Sequence, residues 1–595
     1  MTRDRLRGIY SDRIEEFRKA IRKRSRLISY ISLLRLLSLA AAVYFLIRGI
    51  RADHYVFYGA ALLTVIFFLF LVVHHNRQNE RRKILRELES LNETELACLD
   101  HQYLDLPDGS GHADRGHPWS HDLDIFGKGS LYQYMNRTAT LKGGELLAGL
   151  LTTEADGPGE IKLRQEVVRD LKDQINFRQD FTARARLIRE NRNDLADLSE
   201  WLSTKAYIST HRWLFPLALL ISAVSLTIIV FGFTDSSNFW FLLPLVLFNW
   251  MVLAPFFART NRYQSSISRK HLLLEGYAAL LRIIAGASFG HPELKQEQKH
   301  AEAGQHEVKR LSKLLNLFDQ RLNMLLGVVF NSLFLFDFIM LHLLERWKQR
   351  NREHIMQWIE LTGWTDAQVS LAGFAFNHPD FVFPRLEEDL EGLEVEQLGH
   401  PLITDQRRVD NSLTITGEKV VIITGANMAG KSTFLRSLGV NTVLAYTGCP
   451  VCAGKFRGRF SGLHSSMRTA DSLQEEESYF LAEIRKLEQI VQRMEKGEPL
   501  LILLDEVLKG TNTTDKRQGS VGLIKKSLQY PVLCFIATHD LSLGELEGSH
   551  RGEVVNYCFE STIHEMKLEF DYTIRKGIAR NMNASFLMKQ MGIMD

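Results

Sequence analysis

Long apolar segments dominate the pattern of the first half of the chain. Four of them cover residues 27–47, 55–73, 213–233 and 239–257. Each has about the 20 residues that a helix needs to cross the hydrocarbon core of a bilayer. A buried helix of a soluble core is the alternative for each, above all for residues 27–47, because a charge such as Arg35 costs roughly 3 kcal/mol at mid-bilayer. The pattern predicts four transmembrane helices in two hairpins.

Lysine and arginine flank these segments unevenly. Residues 1–26 contain ten of them, residues 77–86 five and residues 258–270 four, whereas connector 48–54 has two and connector 234–238 has none. Flanks rich in positive charge stay in the cytoplasm. Both hairpins are therefore predicted to enter the membrane from the cytoplasm. This makes the protein a multi-pass protein of the inner or plasma membrane with both termini inside.

The polar stretches around the second hairpin have a helical period. Residues 160–205 and 264–322 place apolar side chains at intervals of three and four, with Glu, Lys and Arg between them. This period predicts two antiparallel helical levers with the hairpin inserted between them. Residues 76–110 are also charged and helical in period.

A polar stretch at residues 112–124 combines histidine with aspartate. Its candidate metal ligands are His112, Asp114, His117, His121 and Asp122. Their spacing matches no helical or hairpin clamp for a metal. We therefore expect a solvated entry loop.

The C-terminal region changes to short buried strands. Residues 420–425 predict a strand, residues 431–446 predict a helix, and the loop between them fits G-x-x-x-x-G-K-S in the context that this motif requires. Glycines let backbone N–H groups surround a phosphate, and the helix N terminus adds its dipole. The predicted nucleotide-binding residues are Gly425, Ala426, Asn427, Met428, Ala429, Gly430, Lys431, Ser432 and Thr433.

Two further strands end in residues suited to phosphate chemistry. "PLLILLDEV" ends in Asp505 and Glu506, and "VLCFIATHD" ends in a segment that contains His539. The motif predicts that Lys431 contacts the β- and γ-phosphates, while Ser432 and Asp505 bind Mg²⁺. Glu506 is placed to polarise the attacking water, and His539 either senses the γ-phosphate or caps a helix. We predict an ATPase with Lys431, Glu506 and His539 as its catalytic residues.

Composition adds little to this prediction. The 73 Lys and Arg nearly balance the 70 Asp and Glu, so net charge argues neither for nor against nucleic acid. Five cysteines are too few for a disulfide framework and suit a reducing compartment. Cys449 and Cys452 have the spacing of a metal or redox pair, but there is no second pair, so we expect two core residues.

These motifs resemble the MutS family of mismatch-repair ATPases. "TGANMAGKST" is similar to the family's TGPNMGGKST, and residues 469–484 resemble its signature segment, with Ser478, Phe480 and Glu483 at matching positions. The similarity covers about 130–200 and, more strongly, 395–595. It implies that ATP and Mg²⁺ are bound by a homodimer in which Ser478 completes the partner's γ-phosphate site. It also implies binding of mismatched DNA.

The chain departs from this family in three places. No Phe-x-Glu wedge occurs anywhere, and the second hairpin stands where the family has its DNA clamp. Glu475, Glu476 and Glu477 replace a Gly-Arg pair of the family signature. ATP chemistry therefore carries over well, whereas mismatch recognition does not, and DNA binding stays an open expectation.

The predicted fold class is α plus α/β, in seven segments. They are a basic N terminus (1–26), transmembrane hairpin 1 (27–75), a helical linker and loop (76–118), a first lever segment (119–212), transmembrane hairpin 2 (213–257), a second lever segment (258–360) and a P-loop ATPase domain of the ABC type (361–595). An ABC-type transporter and a nucleotide-gated membrane scaffold are the alternatives. Four spans and the lack of an LSGGQ-like segment argue against the transporter.

A fifth apolar stretch, residues 324–344, tests this topology. It is long enough to span a membrane but contains Asn331, Asp337 and His342. A fifth crossing would place the nucleotide loop outside the cell, where there is no ATP. We therefore expect a helix buried in protein.

Overall fold

A long antiparallel helical hairpin begins the fold. The computed structural model describes residues 2–52, 54–208, 210–211, 213–268, 270–467, 479–508, 512–564 and 567–580. Helix α1 covers Arg3–Ala52 and α2 covers Tyr55–Leu99. Arg18 pairs with Glu89 at 2.7 Å, and Gly49 faces Tyr58 at the other end. The 50 residues of α1 extend about 75 Å, so the predicted basic N terminus and the first apolar segment form one continuous helix.

Four helices in the described ranges of the chain are long and apolar enough to cross a membrane. They are Arg3–Ala52, Tyr55–Leu99, Leu214–Gly232 and Ser236–Ile267, the last of which consists of a 3₁₀ turn, Ser236–Phe241, and the α-helix Leu242–Ile267. At most 22% of the most apolar 18-residue part of each is buried. Three of these helices contain an apolar segment that the sequence pattern singles out, and Leu214–Gly232 covers all but the two end residues of segment 213–233. Length and composition make them candidates for spans.

The middle of the chain is helical, but it is more divided than the predicted levers. A turn at Gly286–His291 separates two helices in the second lever segment, because glycine and the following Pro292 end a helix and start the next. Thr140 caps another helix by accepting from the Gly143 N–H at 3.0 Å. The helices are α3 (Leu131–Met135), α4 (Leu141–Thr152), α5 (Pro158–Lys172), α6 (Ile175–Arg186), α7 (Asp194–Ser203), α8 (Leu214–Gly232), α9 (Leu242–Ile267), α10 (His271–Ala285), α11 (Pro292–Asp319), α12 (Met324–Phe334), α13 (Phe336–Asn351) and α14 (Ile355–Asn377).

Helix α14 belongs to two hydrophobic cores at once. Leu371 and Phe374 pack into the core of the C-terminal domain, whereas Ile359 and Ala372 pack into the core of the helical region. Its buried Asp366 accepts from the Thr140 N–H and hydroxyl at 2.8 Å each, and burial raises the pKa of this carboxyl to about 6. The helix therefore connects the helical core rigidly to the C-terminal domain.

The C-terminal domain contains two sheets. The smaller has the order β1-β5-β2-β3, and the larger has the order β10-β9-β4-β8-β7-β6, in which all neighbours except β10 and β9 are parallel. The strands are β1 (Arg385–Glu387), β2 (Leu393–Leu398), β3 (Asn411–Ile415), β4 (Val420–Gly425), β5 (Lys455–Arg459), β6 (Gly462–Ser466), β7 (Leu500–Asp505), β8 (Val532–Thr538), β9 (Val554–His564) and β10 (Lys567–Lys576). The helices are α15 (Lys431–Tyr446), α16 (Tyr479–Glu495), α17 (Thr513–Ser527) and α18 (Leu546–Ser549).

The three strands predicted from sequence lie side by side at the centre of the larger sheet. Thr424 of β4 aligns with Thr538 of β8, and Asp505 of β7 aligns with Ala537 of β8. Strands buried on both faces carry nearly continuous apolar runs, which is why the sequence identifies them. Their carboxyl ends, and the residues that follow them, meet at one edge.

The loop at 112–124 differs from the solvated loop that we expected. Trp119 is buried and donates its indole N–H to the Leu151 carbonyl at 3.1 Å. Asp122 is fully buried and accepts from Ser465 and Lys486 of the C-terminal domain. In the described ranges, no group of three or more His, Cys, Asp or Glu side chains is placed to hold a metal ion. The loop joins the helical region to the C-terminal domain.

The expectation for the cysteine pair is confirmed, whereas the one for residues 324–344 is wrong. Cys449 and Cys452 are fully buried free thiols, which confirms the prediction of core residues. The stretch 324–344 is not one buried helix, because α12 and α13 meet at an angle of 89°. Leu335 at the corner has a left-handed backbone with a φ of 48°, which interrupts the helix.

Candidate nucleotide-binding site

The loop between β4 and α15 requires glycine at both ends. Gly425 has a φ of 154° and Gly430 a φ of 110°, both in the region that favours glycine. A Cβ atom on Gly425 would lie 2.6 Å from the Phe559 carbonyl oxygen of the adjacent strand. Between them Met428 also has a positive φ, of 67°, and its side chain is exposed. The loop therefore wraps closely over the sheet edge and leads into the N terminus of α15.

Lys431 is held over this loop by backbone oxygens. It is the first residue of α15 and is buried, and its ammonium group donates to the carbonyls of Gly425 at 2.8 Å and Ala426 at 2.9 Å. A buried ammonium requires such acceptors or an anion. The positive charge therefore lies at the centre of the loop, beside the helix N terminus that favours anions.

Ser432 and Asp505 come together from two different elements. The Ser432 hydroxyl in the first turn of α15 donates to Asp505 Oδ2 at the end of β7, at a distance of 2.6 Å. A hydroxyl next to a carboxylate is a donor set that Mg²⁺ prefers, since this ion takes oxygen ligands and keeps several waters. The pair fits the predicted magnesium site.

His539 Nδ1 lies 2.9 Å from the Gly425 carbonyl oxygen, and its Nε2 contacts Glu506 Oε1. The imidazole ring therefore lies between the Gly425 carbonyl and the Glu506 carboxylate. Asp540, and not His539, caps the following helical turn by accepting from the Ser542 N–H at 2.9 Å. The geometry thus places the histidine in the site.

Sequence reasoning assigned no structural role to Glu483. Glu506 and Leu508 have positive φ values of 54° and 62°, which are strained for residues with a side chain. Glu483 of α16 is buried and accepts from the Leu508 N–H at 2.5 Å. A charge-assisted hydrogen bond in a buried setting is strong. Glu483 therefore stabilises the turn that aims Glu506, a role that only its match to the family signature hinted at.

A cavity of about 620 Å³ adjoins the loop on the side of the smaller sheet. It lies between the first turns of α15 and the segment 398–411, and its lining includes His400, Arg407, Gly430, Thr433, Ser437 and Tyr572. Burial, with a smaller effect of the nearby Arg436, lowers the pKa of His400 to about 4, so the ring is neutral at pH 7. The volume lies in the range of small-molecule sites. No sequence motif marks segment 398–411, so the sequence did not predict this side of the site.

The structure brings nearly all the predicted residues to one edge of the larger sheet. The loop residues Gly425, Ala426, Asn427, Met428, Ala429 and Gly430 connect directly to Lys431, Ser432 and Thr433. Asp505 ends β7 and Glu506 follows it, while His539 directly follows β8. Ser478 and its neighbours Glu475, Glu476 and Glu477 lie outside the described residues.

Comparison with known proteins agrees with the similarity noted in the sequence. The profile of MutS domain V matches residues 421–590. The chain is 33% identical over 239 residues to a DNA mismatch repair protein MutS of Aquifex pyrophilus, covering 39% of this chain and 27% of that protein. It is 29% identical over 251 residues to the MutS of Thermotoga maritima, covering 42% and 31%. It is 25% identical over 246 residues to the DNA mismatch repair protein MSH3 of Debaryomyces hansenii, covering 38% and 24%.

The similarity is confined to a portion of each protein. The chain spans between about a quarter and a third of the length of these relatives. The matched profile covers β4, β7, β8 and β9, and with them the loop and the strand ends described above. Residues 421–590, the region of this chain that carries the site, match the profile of MutS domain V, and over this region the chain is similar to proteins of the MutS family.

Proposed function

We propose that this protein is a membrane-anchored ATPase of the MutS family that binds and hydrolyses ATP as a homodimer. One observation carries the proposal. Lys431, the Ser432–Asp505 pair and the Glu506–His539 pair converge at the carboxyl ends of three adjacent parallel strands. In open α/β sheets, ligands bind at this edge.

Each of these groups has a defined chemical role in the proposal. The loop N–H groups and Lys431 bind the β- and γ-phosphates, and the cavity beside Thr433 receives the base and sugar. Ser432 and Asp505 would hold Mg²⁺, which neutralises charge on the phosphates. Glu506 accepts the proton of the attacking water, and His539 orients Glu506 and contacts the γ-phosphate.

The membrane anchor is the other element of the proposal. The candidate spans expose their apolar side chains, among them Leu36, Leu63, Leu220 and Met251. Exposed apolar patches of this extent favour contact with lipid over contact with water. The lysine and arginine distribution supports an inner or plasma membrane location with the ATPase domain in the cytoplasm.

Lys431→Ala tests the nucleotide site. Loss of the buried ammonium should weaken ATP binding at least about tenfold, because the phosphates lose their closest positive charge. Binding of a fluorescent ATP analogue to the detergent-solubilised protein measures this. Lys525→Ala, an exposed lysine on α17, is the matched control and should bind as wild type does. If both variants bound the analogue equally well, the loop that contains Lys431 would not be the nucleotide-binding site.

DNA discrimination tests whether the repair function named for the relatives extends to this chain. The sequence lacks a Phe-x-Glu wedge, and the family resemblance implies that α8 and α9 replace the DNA clamp. We expect homoduplex and single-mismatch duplex to bind with affinities that differ less than tenfold, which is about 1.4 kcal/mol. Titrations at fixed salt, with and without ATP, measure this, since salt dominates DNA affinity. A larger preference for the mismatched duplex would support a mismatch-repair function for this chain.

A further inference from the structure

The corner between α12 and α13 leaves backbone carbonyl groups without helical partners. Helix α12 ends at Phe334, and α13 starts at Phe336 in a direction turned by 89°. The last carbonyls of a helix need other donors, above all in an apolar setting. The donors found here come from the second hairpin.

Side chains of α8 and α9 satisfy these carbonyls. Ser222 donates to the Phe334 carbonyl at 3.1 Å, Ser225 donates to the Leu333 carbonyl, and Asn249 donates to the Ser332 carbonyl at 2.7 Å. Ser225 and Asn249 are completely buried. The second hairpin therefore supplies donors specifically to this broken helix.

The positions of these donors set the depth of the corner. Ser225 and Asn249 lie near the middles of the apolar segments 213–233 and 239–257. Because Ser225 bonds to the Leu333 carbonyl and Asn249 to that of the adjacent Ser332, the end of α12 lies at the depth of the middle of the hairpin. The corner at Leu335 is thus far from either end of the candidate spans.

The outer face of α12 is apolar and exposed. Met324 is 85% exposed and Leu325 75%, and Val328 and Val329 are exposed as well. The 11 residues of α12 rise about 16 Å, which is too short to cross a hydrocarbon core of about 30 Å. Helix α13 instead returns to the helical core, where Phe338 and Leu344 are buried. The geometry is that of a segment that enters and returns on one side.

The single charged pair of this element is neutralised internally. Arg321 binds Asp337 at 2.8 Å, and both side chains are at most 7% exposed. Arg321 also donates to Asn261 near the C-terminal end of α9. Charged side chains within the membrane region of a protein are paired with one another or with backbone carbonyls.

We infer that α12 is a re-entrant segment whose outer face, Met324, Leu325, Val328 and Val329, contacts the acyl chains of the bilayer. The inference rests on the proposed membrane anchor. The occupant is lipid because α12 packs against α8 and α9, the candidate spans that cap the corner, and these helices also expose apolar side chains, for example Val230 and Leu247. The α12 corner connects through α13 to α14, so the element also lies on the covalent path to the ATPase domain.

Fluorescence quenching in proteoliposomes tests the inference on the full chain. Leu325→Cys and, as a second variant, Val328→Cys are labelled with bimane, because the five native cysteines are buried. Val230→Cys on α8 is the control for a position that faces lipid. The exposed Leu317→Cys on α11 is the control for a position that faces water. Lipids brominated on the acyl chains should quench positions 325 and 328 as they quench 230, at least about twofold more than 317.

Three other outcomes would overturn the inference in distinguishable ways. Quenching of positions 325 and 328 by aqueous iodide, as at 317, would place α12 in water while leaving the anchor intact. Protection from both quenchers, together with cross-linking between two chains through 325, would assign the face to a second copy. Failure of brominated lipid to quench position 230 would refute the membrane anchor itself.

Discussion

Glu506→Gln is expected to bind ATP as tightly as the wild type and to hydrolyse it at least ~100-fold more slowly. Glutamine keeps the size of the side chain, but its amide cannot accept a proton from water. The Glu506 backbone N–H donates to the Ala537 carbonyl at 2.9 Å, and Glu483 holds the next turn, so the position of residue 506 should be retained. A loss of activity would then show that the Glu506 carboxylate is the group that accepts the proton.

Phosphate release at steady state and binding of a fluorescent ATP analogue measure the two effects separately. Glu488→Gln is the matched control, because Glu488 is an exposed residue of α16 away from the strand ends. It should hydrolyse ATP at the wild-type rate. Normal turnover by Glu506→Gln would show that another group accepts the proton.

Mixing two inactive variants is expected to restore activity if Ser478 acts on the partner's nucleotide. Lys431→Ala disables the loop of its own chain, and Ser478→Arg disables the residue that the family similarity assigns to the partner's site. A mixed dimer has one intact composite site of two. Random pairing at equal amounts should therefore yield about a quarter of wild-type activity from two parents that have almost none.

The control mixture combines Lys431→Ala with the double variant Lys431→Ala/Ser478→Arg. No composite site is intact in any of its dimers, so it should stay inactive. Differently tagged chains, purified by both tags, show that mixed dimers are present. Mixed dimers without activity would mean that Ser478 does not complete the partner's site.

Elements whose pattern is local could be predicted from the sequence. Strands β4, β7 and β8 were predictable because parallel strands buried on both faces are apolar throughout. The loop from Gly425 to Ser432 was predictable because its glycines, lysine and serine are adjacent in the chain and depend on one strand and one helix. The positions of the four apolar segments follow from hydropathy for the same reason, although α1 and α2 extend well beyond their segments.

Contacts between segments that are distant in the chain could be identified only in the folded structure. The cavity beside Thr433 needs His400, and the turn after Glu506 needs Glu483, but neither partner has a motif that names its contact. The loop 112–124 looked solvated because its polar residues find their partners, such as Lys486, more than 360 positions away. Likewise the break at Leu335 lies in an apolar stretch that reads as one helix. It is stable because Ser225 and Asn249, donors on two other helices, take up the carbonyls that the break releases, and hydropathy along a single segment contains no information about such donors.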